Sequence, residues 1–557
     1  MIVLDAYAAR SCAVKTHNTF DPRMTLVEGD TDEQLQELFD LGEQFEEAVM
    51  TSLLAALPGV VDLRACLTRQ ERAVRLQTAV ERGAPAILGA SLPLDTAGHR
   101  VGQVDLLVRG ADRPDGGAGY RPVEVKNHRV LERRRRGQQA PAAQLAPLAA
   151  PGEPHEVEEQ RFRFGSRASD LVQLAHYWRM LEACGLAAAG APWAGVIGND
   201  PGDRQVIWVR LDEPVSRTFS RTAEEGWVKR SILQRYDHEF AFRLDVARIA
   251  SEQDRPDAPT PLVHPIRVDE CRRCPWWELC REQMGADDLS VKLDKGPLDV
   301  REISVLRRLG VRTVADLASR DLAELLPGYL AEVRHRDNAE SRIRTAHRRS
   351  VMMATGEVLE RITSGPIELP AAPVEIDFDL ESSADQRIYL WGFLVNEGNE
   401  SQYVSFAAWH ELDDASELAL AEEALGWLRT MITERDATVH HYSGYEINQL
   451  DKFAKAGSPT ARWMRDQVER SFVDLYDVVK QHWFGVYGLG LKQVATEGAR
   501  FAWRDDDPSG LSSQGWFNDA VHAEDTAERD EARQRVLDYN EDDVIATREV
   551  RRWLRTG

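Results

Sequence analysis

The chain has 557 residues, of which 43% are hydrophobic and 29% are charged. This length is too great for one hydrophobic core, so we expect two to four domains, and no stretch approaches the roughly 20 apolar residues that would span a bilayer. The formal net charge of −23 argues against a general nucleic-acid coat, so any polyanion site must be a local basic patch. The first residues show no secretory signal, and we therefore expect a cytoplasmic protein with no membrane partner.

Hydrophobic periodicity predicts alternating helices and strands in the first half of the chain. In chain order these are a helix over residues 32–56, strands over 99–110 and 120–126, a helix over 169–185, strands over 193–198 and 205–211, and a helix around 236–252. A loop rich in glycine and proline joins the first two strands, which predicts a hairpin. Residues 137–157 are rich in alanine and proline and are interpreted as a mobile insertion.

Two carboxylates and a lysine fall on the predicted hairpin. Asp105 lies on its first strand, and Glu124 and Lys126 alternate onto one face of the second. Hard divalent cations such as Mg²⁺ and Mn²⁺ prefer oxygen ligands, and a lysine can orient a water nucleophile or stabilise developing charge. The pattern therefore indicates a metal-dependent phosphodiesterase site, with an exposed cross-strand ion pair as the alternative.

Three of the six cysteines lie close together in a C-x2-C-x5-C pattern, as Cys271, Cys274 and Cys280. In a cytoplasmic protein this spacing predicts a metal centre rather than a disulfide framework. The fourth ligand would be a non-cysteine group or one of the three other cysteines, Cys12, Cys66 and Cys184. A zinc knuckle and a set of buried cysteines without metal are the alternatives.

These motifs together resemble the RecB-type branch of the PD-(D/E)XK nuclease superfamily, in which a Q-x-x-x-Y helix packs by the catalytic sheet. The matching residues in chain order are Glu46, Asp105, Glu124, Lys126, Gln173 and Tyr177. Glu46 belongs to a segment similar to the G-x-x-H-E motif of that branch, with Phe45 in the place of the histidine. The resemblance implies a restriction-endonuclease-like fold and a catalytic centre made of these residues.

The cysteine pattern is similar to the iron–sulfur staple of CRISPR-associated and AddB-like nucleases of the same branch. In those proteins the first cysteine precedes the first helix motif, and Cys12 stands in that place. The resemblance implies a [4Fe–4S] cluster held by Cys12, Cys271, Cys274 and Cys280, which would tie the two ends of the nuclease domain together.

The middle of the chain has two features that point to nucleic acid. Residues 298–326 resemble a helix-hairpin-helix unit with its turn at Leu309-Gly310-Val311, whose amides would bind a DNA phosphate. An ordinary helical linker is the alternative. Two clusters of arginine are interpreted as a polyanion track, with a solvated face as the alternative: Arg133 to Arg136, and Arg334, Arg336, Arg342, Arg344, Arg348 and Arg349.

The last third of the chain begins with a strand over residues 373–383 on which Asp377, Asp379 and Glu381 share one face. Three acids on one strand face repel one another unless cations lie between them. Two further strands of a meander follow, and then residues 438–454 change from strand to helix. In the final helix Tyr539 and Asp543 are neighbours at i and i+4.

This order of carboxylates resembles the DEDD exonucleases of the RNase H-like fold, in the subgroup with a Tyr-x-x-x-Asp motif. By this resemblance two metal ions would be held by Asp379, Glu381, Glu446 and Asp543. Tyr539 would orient the attacking water. Glu446 replaces the usual aspartate, and Asp474 is the alternative for that place. A module of this fold that holds nucleic acid without cutting it is a further alternative.

The whole chain thus resembles a RecB-like nuclease family that joins an iron–sulfur PD-(D/E)XK domain to an RNase H-like domain. We predict an α/β multidomain protein with a nuclease domain over 1–290, a helical linker with a helix-hairpin-helix-like unit over 291–360, and a DEDD exonuclease-type domain over 361–557.

The expected function is a Mg²⁺- or Mn²⁺-dependent DNA nuclease, acting as an exonuclease on single strands or DNA ends in repair or processing. The chain shows no Walker A motif, so a helicase would be a separate partner. The alternatives are an RNA-trimming 3′–5′ exonuclease that uses only the C-terminal site, and a non-catalytic protein that binds DNA ends.

Overall fold

The computed structural model describes residues 1–26, 33–135, 141–383, 385–506 and 508–556. The chain forms two compact units. The N-terminal unit comprises Met1–Lys292, Pro297–Asp316 and Arg320–Arg344, and the C-terminal unit comprises Leu293–Gly296, Leu317–Ser319 and Thr345–Gly557. Within the described ranges, every helix is too short or too polar to cross a membrane.

The first part of the chain alternates between strands and helices. The strands are β1 (Val61–Asp62), β2 (Ala86–Ser91), β3 (Gln103–Arg109), β4 (Tyr120–Lys126), β5 (Leu131–Arg133), β6 (Ala143–Pro147), β7 (His155–Val157), β8 (Gln160–Phe162), β9 (Trp193–Gly198), β10 (Gln205–Arg210), β11 (Ser216–Phe219) and β12 (Trp227–Arg230). The helices are α1 (Ala13–Phe20), α2 (Glu33–Ala56), α3 (Arg69–Glu81), α4 (Phe164–Ala183), α5 (Ile232–Ala250), α6 (Trp277–Met284), α7 (Leu289–Lys292), α8 (Val300–Arg308), α9 (Val314–Ala318), α10 (Leu322–Val333) and α11 (Ala339–Thr355), with a 3₁₀ helix over Asp269–Arg273.

An eight-stranded sheet runs through the N-terminal unit in the order β1, β2, β3, β4, β9, β10, β6, β7. Strands β3 and β4 pair antiparallel, which confirms the predicted hairpin, and β4 pairs parallel with β9. The prediction of a mobile insertion over 137–157 is wrong for its described part, because β6 pairs with β10 inside this sheet. Ala143, Leu145 and Ala146 of β6 are buried, so the alanines supply small apolar side chains to the core. Residues 137–140 lie outside the described residues.

Helices cover both faces of this sheet. Val49, Met50 and Leu53 of α2 pack in one core cluster with Val123 and Val125 of β4. Because side chains alternate along a strand, the even-numbered residues of β4 point to the opposite face, which α4 covers. The carboxylate and the ammonium of the predicted motif therefore lie between the sheet and α4.

The helical segment after the cysteines is held by its own polar contacts. Asp299 and Glu302 form a capping box that begins α8. Glu302 is fully buried and also accepts hydrogen bonds from Tyr329 (2.9 Å) and Arg342 (2.7 Å). The turn between α8 and α9 places Gly310 at φ +81°, a conformation that favours glycine.

The C-terminal unit carries the rest of the elements. Its strands are β13 (Leu359–Arg361), β14 (Val374–Ser382), β15 (Ile388–Glu397), β16 (Glu400–Ala407), β17 (Ala437–His441), β18 (Phe472–Asp474) and β19 (Trp483–Gly485). Its helices after α11 are α12 (Asp414–Arg435), α13 (Tyr445–Lys455), α14 (Pro459–Ser471), α15 (Leu475–His482), α16 (Leu491–Glu497), α17 (Gly510–His522) and α18 (Thr526–Thr556).

Five of these strands form a mixed sheet in the order β16, β15, β14, β17, β18. Strands β14, β15 and β16 are antiparallel, as predicted for a meander, whereas β17 and β18 join in parallel. Ile376, Phe378 and Leu380 of β14 pack in the core cluster that contains the buried face of α12. The alternate residues of β14 face the long helix α18, and this face carries the acids.

Candidate functional site

Three buried or half-buried carboxylates meet in the C-terminal unit. Asp379 and Glu381 come from β14, and Asp543 comes from α18. One oxygen of each lies within 4.8 Å of one oxygen of the other two, which is a spacing that a metal ion can bridge. Strand alternation brings the first two together, and the packing of α18 against β14 adds the third. We call this group the acidic trio.

The electrostatics of the acidic trio suit a divalent cation. Burial and then the charge of Asp543 raise the pKa of Asp379 well above its ordinary range. The same two causes raise the pKa of Glu381 to about 8, and burial raises that of Asp543 to about 6. Because a bound cation relieves both the burial cost and the mutual repulsion, the three carboxylates fit a metal site.

Neutral side chains hold the acidic trio in place. The Nδ2 of Asn540 donates to Asp379 (3.0 Å), while the Asn540 carbonyl accepts from Tyr403 (2.8 Å). The indole of Trp503 donates to Asp543 (2.7 Å). Gly392 makes room for this arrangement, since a Cβ there would lie 1.6 Å from Oδ1 of Asn540. These supports were not predicted, although Asn540 directly follows the predicted Tyr539 in the sequence.

Tyr539 lies beside the acidic trio on α18. The ammonium of Lys492 is 3.3 Å from its hydroxyl and 5.0 Å from the centre of its ring. Burial and then the charge of Asp543 raise the pKa of Tyr539, so the phenol stays protonated and can donate a hydrogen bond. Lys492 was also not predicted, because no sequence spacing links it to Tyr539, 47 residues later.

Glu446 lies next to the acidic trio rather than within it. It is buried in the first turn of α13, and its charge contributes to the raised pKa of Asp379. One of its oxygens is 3.4 Å from Nδ1 of His441. Asp474, the alternative for this place, instead accepts backbone hydrogen bonds from Ser443 (3.0 Å) and Tyr476 (2.9 Å) and caps α15.

Asp377 shares the strand face of the acidic trio but has a different role. It is fully buried, and the guanidinium of Arg551 donates to both of its oxygens, at 3.0 and 2.7 Å. Asn396 donates a further hydrogen bond to it (2.9 Å). Its charge is therefore neutralised inside the protein, and it is a structural residue.

A comparison with known families identifies the kind of domain in the C-terminal unit. Residues 376–555 match the family model of the RNase_H superfamily. This range runs from β14 to α18, contains the acidic trio, and confirms the prediction of an RNase H-like domain in the C-terminal part. No curated protein and no solved structure matches the chain. The first 375 residues thus have only their own geometry to indicate a function.

A second acidic group lies in the N-terminal unit, where Asp105, Glu124 and Lys126 come together. The Lys126 ammonium donates to Oε2 of Glu124 (2.7 Å), and Nε2 of Gln173 on α4 donates to the same oxygen (2.8 Å). Asp105 accepts a hydrogen bond from the backbone of Val125 (2.9 Å). The hairpin and α4 thus assemble the predicted residues at one place, which we call the N-terminal centre.

The other predicted residues border the N-terminal centre. Gln173 is 3.5 Å from the hydroxyl of Tyr177. Burial and then the charge of Asp105 raise the pKa of Glu46. Arg10, which was not predicted, donates to the side-chain oxygen of Gln173 and so orients the amide toward the glutamate. No sequence spacing would have indicated Arg10, because it comes from a loop far from the motif residues.

The charge balance of the N-terminal centre also fits a cation. Glu124 is 1% exposed, and burial and then the charge of Asp105 raise its pKa to about 8 despite Lys126. Burial raises the pKa of Asp105 as well. Oε1 of Glu124 is buried and has no hydrogen-bond partner among the described residues. A cation between the two carboxylates would satisfy this oxygen.

These raised pKa values predict that the metal-free protein loses stability as the pH rises. Unfolded glutamates have a pKa of about 4.5, whereas burial raises the pKa of Glu124 and Glu381 in the folded protein to about 8. The free energy of unfolding therefore falls as the pH rises through this window. In a chelator the melting temperature is expected to fall from about pH 5 to about pH 8. Mn²⁺ should then raise it more at the alkaline end, because binding requires the charged carboxylates.

Differential scanning fluorimetry with and without Mn²⁺ measures both effects. The Glu124→Gln/Glu381→Gln variant is the control, since its amides do not titrate and its pH dependence should be flatter. An equal Mn²⁺ response at both ends of the window would contradict the prediction.

Four cysteines line one small cavity in the N-terminal unit, namely Cys12, Cys271, Cys274 and Cys280. Burial raises the pKa of the last three thiols, and charge on Cys12 raises all three further. The thiols are therefore close neighbours that disfavour one another's ionisation unless a metal is bound. Cys66 and Cys184 lie elsewhere, Cys66 in the main core and Cys184 at the end of α4.

The predicted polyanion track is largely occupied by internal contacts. The acceptors that the structure provides are Glu224 O for Arg334, Asp299 for Arg336, Glu302 for Arg342, Glu340 for Arg344, Glu360 for Arg348 and Lys295 O for Arg349. Arg133 is exposed, Arg134 pairs with Glu158, and Arg136 lies outside the described residues.

The helix-hairpin-helix prediction also needs correction at its turn amides. The amides of Arg312 and Thr313 at the start of α9 donate to Asp316, at 2.9 Å each. Those of Gly310 and Val311 donate to carbonyls of α8. The amides of the predicted turn and of the residues after it therefore already have acceptors within the protein.

Proposed function

We propose that this protein is a divalent-metal-dependent nuclease with two centres, one in the RNase H-like domain and one in the N-terminal unit. The observation that carries the proposal is the acidic trio, in which three carboxylates from a central strand and a distant helix share one site inside a domain of a nuclease-containing superfamily. The natural substrate of such a centre is a phosphodiester, because clustered divalent cations stabilise the charge of a phosphoryl group under attack.

In the RNase H-like domain, Asp379, Glu381 and Asp543 would hold Mg²⁺ or Mn²⁺, with Glu446 as a further ligand from the adjoining helix. Tyr539 would orient the attacking water through its phenol, and Lys492, 3.3 Å from the phenol oxygen, would hold that phenol in position. Asn540 and Trp503 hold the carboxylates at their spacing. Water attack on the phosphorus breaks the bond to the ester oxygen, which leaves as a hydroxyl after gaining a proton.

In the N-terminal unit, we propose a PD-(D/E)XK-type centre over a domain of residues 1–290. Asp105 and Glu124 would hold a cation, with Glu46 beside them, while Lys126 orients the attacking water or stabilises charge on the phosphate. Gln173 and Tyr177 keep Glu124 in position. The support for this proposal is the shared hydrogen-bond network of Lys126 and Gln173 on one carboxylate oxygen.

We further propose that the four-cysteine cavity holds a [4Fe–4S] cluster. Cys12 precedes α1, whereas the other three cysteines lie between residues 271 and 280, so a bound cluster would tie together two distant parts of the unit. A hydrogen bond from the Cys12 amide to Glu270 (2.8 Å) already joins these parts. Anaerobically purified protein should be brown, and colourless protein with one zinc per chain would contradict this assignment.

DNA, as single strands or ends, is the proposed substrate. RNA trimming by the C-terminal centre alone is the second candidate, and the observation that favours it is that the family match covers this domain and not the N-terminal unit. A separate helicase remains the proposed partner on DNA.

Two single variants test which centre cuts which strand. Asp105→Asn removes one carboxylate charge from the N-terminal centre, and Asp543→Asn removes one from the acidic trio. End-labelled single strands of DNA and RNA with one matched sequence are incubated with Mg²⁺ or Mn²⁺ and analysed on a sequencing gel. The two-centre proposal expects each variant to lose a different part of the DNA cleavage pattern.

If only Asp543→Asn loses activity, and RNA is the better substrate, the RNA-trimming alternative is correct. If the wild-type protein yields no product with either metal while its affinity for strands survives a chelator, the protein binds nucleic acid without cutting it.

A further inference from the structure

A cavity of about 630 Å³ opens in the N-terminal unit beyond the ends of β4 and β9. Its volume lies in the range of about 300–1,000 Å³ that is typical of ligand pockets. Strands β5 and β8, the loop over residues 200–204 and the start of β10 form its walls. None of the residues assigned so far to a catalytic centre or to the cysteine cavity lines it.

The cavity adjoins β4, which carries Lys126, and α2, which carries Glu46. Gly198 in its wall is the register partner of Lys126 across β4 and β9. Arg204, also in the wall, donates to Ala48 O and Ser52 Oγ of α2, both at 2.8 Å, and lies over the ring of Phe45. A nucleic-acid strand with one phosphate bound at Lys126 would therefore pass close to this cavity.

The lining combines an apolar floor with unsatisfied polar groups. Leu145 and Ile207 are buried and provide the apolar surface. The side-chain oxygens of Gln160 and Gln205 are buried, and neither has a hydrogen-bond partner among the described residues. Arg129 is exposed at the cavity and can meet a phosphate.

The acidic residues that line the cavity do not prevent it from accepting a nucleotide. Asp200 is committed to the backbone amides of Val130 and Leu131, and Glu132 is paired with Arg161. Glu159 and Asp203 are exposed to solvent, where their charge is screened.

We propose that this cavity holds one unstacked base of a single nucleic-acid strand, next to the phosphate that the N-terminal centre attacks. A base presents flat apolar faces, an edge of hydrogen-bonding groups and a flanking phosphate. The cavity offers an apolar floor, two amide oxygens without a hydrogen-bond partner among the described residues, and the exposed Arg129 to match them. The inference rests on the proposed function of the N-terminal centre and adds its substrate class. A duplex does not fit, because its bases are stacked and paired.

Binding without cleavage tests this proposal. Full-length protein carrying Asp105→Asn is titrated, in Ca²⁺, against a set of fluorescein-labelled DNA strands that each lack one base at a different position. One abasic position should lower the affinity at least about fivefold, since stacking a base in such a site contributes of that order. Gln160→Leu/Gln205→Leu should lose as much affinity for the intact strand and then show little further loss at that position.

Gln144→Leu is the matched control. Gln144 is a glutamine of the neighbouring strand β6 whose amide is paired with Glu156 (3.0 Å), so this variant should keep the abasic pattern of the parent protein. Because the side-chain oxygens of Gln160 and Gln205 have no hydrogen-bond partner in the part of the chain that the structure describes, replacing these residues should leave the melting temperature unchanged. Arg129→Ala, at an exposed position, gives a second variant that does not disturb the core.

Equal affinity for every abasic strand, or an unchanged abasic pattern in Gln160→Leu/Gln205→Leu, would overturn the cavity proposal. If the wild-type N-terminal centre cuts DNA under those circumstances, the proposed function stands without it. If no strand binds the protein at all, both are overturned.

Discussion

In the Asp379→Asn variant, the rate of cleavage by the RNase H-like domain is expected to fall at least about 10³-fold, because a metal ligand loses its charge. The amide keeps the size of the carboxylate and can still accept the hydrogen bond from Asn540. Removing one of three mutually repelling acids should not destabilise the metal-free fold. Folded but inactive protein is therefore the expected result.

Two measurements check this expectation together. Cleavage of an end-labelled strand is followed in an Asp105→Asn background, so that only the C-terminal centre is observed, and the Mn²⁺-induced rise in melting temperature is recorded. Glu400→Gln, at an exposed position on the edge strand, changes the net charge equally and should affect neither. An Asp379→Asn protein that retains its Mn²⁺ response would show that the acidic trio is not the metal site.

The Arg551→Met variant should lose about 3–5 kcal/mol of unfolding free energy in the C-terminal unit. Arg551 is only 2% exposed, and its removal leaves the fully buried carboxylate of Asp377 without its cation. Breaking a buried ion pair in this way costs far more than losing a surface pair. The loss should appear as a shift of the urea midpoint with an unchanged slope.

A second substitution distinguishes an orphaned charge from lost packing. Asp377→Asn/Arg551→Met removes both charges of this pair, and the amide at 377 keeps Asn396 as a partner. Glu375, which also pairs with Arg551, keeps Arg555, so much of the lost stability should return. Arg552→Met is the surface control, since Arg552 is exposed and pairs with Glu549 on the same helix. A loss below about 1 kcal/mol in Arg551→Met would contradict the structural role of this arginine.

Local patterns were enough to predict much of the fold. The alternation of apolar and acidic residues in β14 predicted both the strand and the face that carries Asp379 and Glu381, because strand geometry fixes which side chains point the same way. The paired strands around Asp105 and Glu124 followed from periodicity and turn residues in the same way. Small apolar residues were misleading in residues 141–157, where Ala143 and Ala146 look like part of a linker but fill the core beside β10.

The partners of charged residues could not be predicted, since they depend on distant packing. Asp377 and Asp379 occupy equivalent positions in the alternating pattern of the sequence. Arg551 from the last helix pairs with Asp377 and gives it a structural role, whereas Asp379 belongs to the acidic trio. The arginine side chains of α11 and the backbone amides of the turn before α9 likewise donate to acceptors within the protein. Arg10 and Lys492 support the two centres through side-chain contacts to Gln173 and Tyr539, for which no spacing rule exists.

The position of Arg10 has a practical consequence. It lies two residues before Cys12, and its guanidinium reaches the amide that holds Glu124. A purification tag or oxidative damage that displaces residues 10–12 would therefore remove the contact of Arg10 with Gln173 and so disturb the position of Glu124. If air removes the cluster proposed at Cys12, the cleavage proposed for the N-terminal centre should fall first, while that proposed for the RNase H-like domain persists.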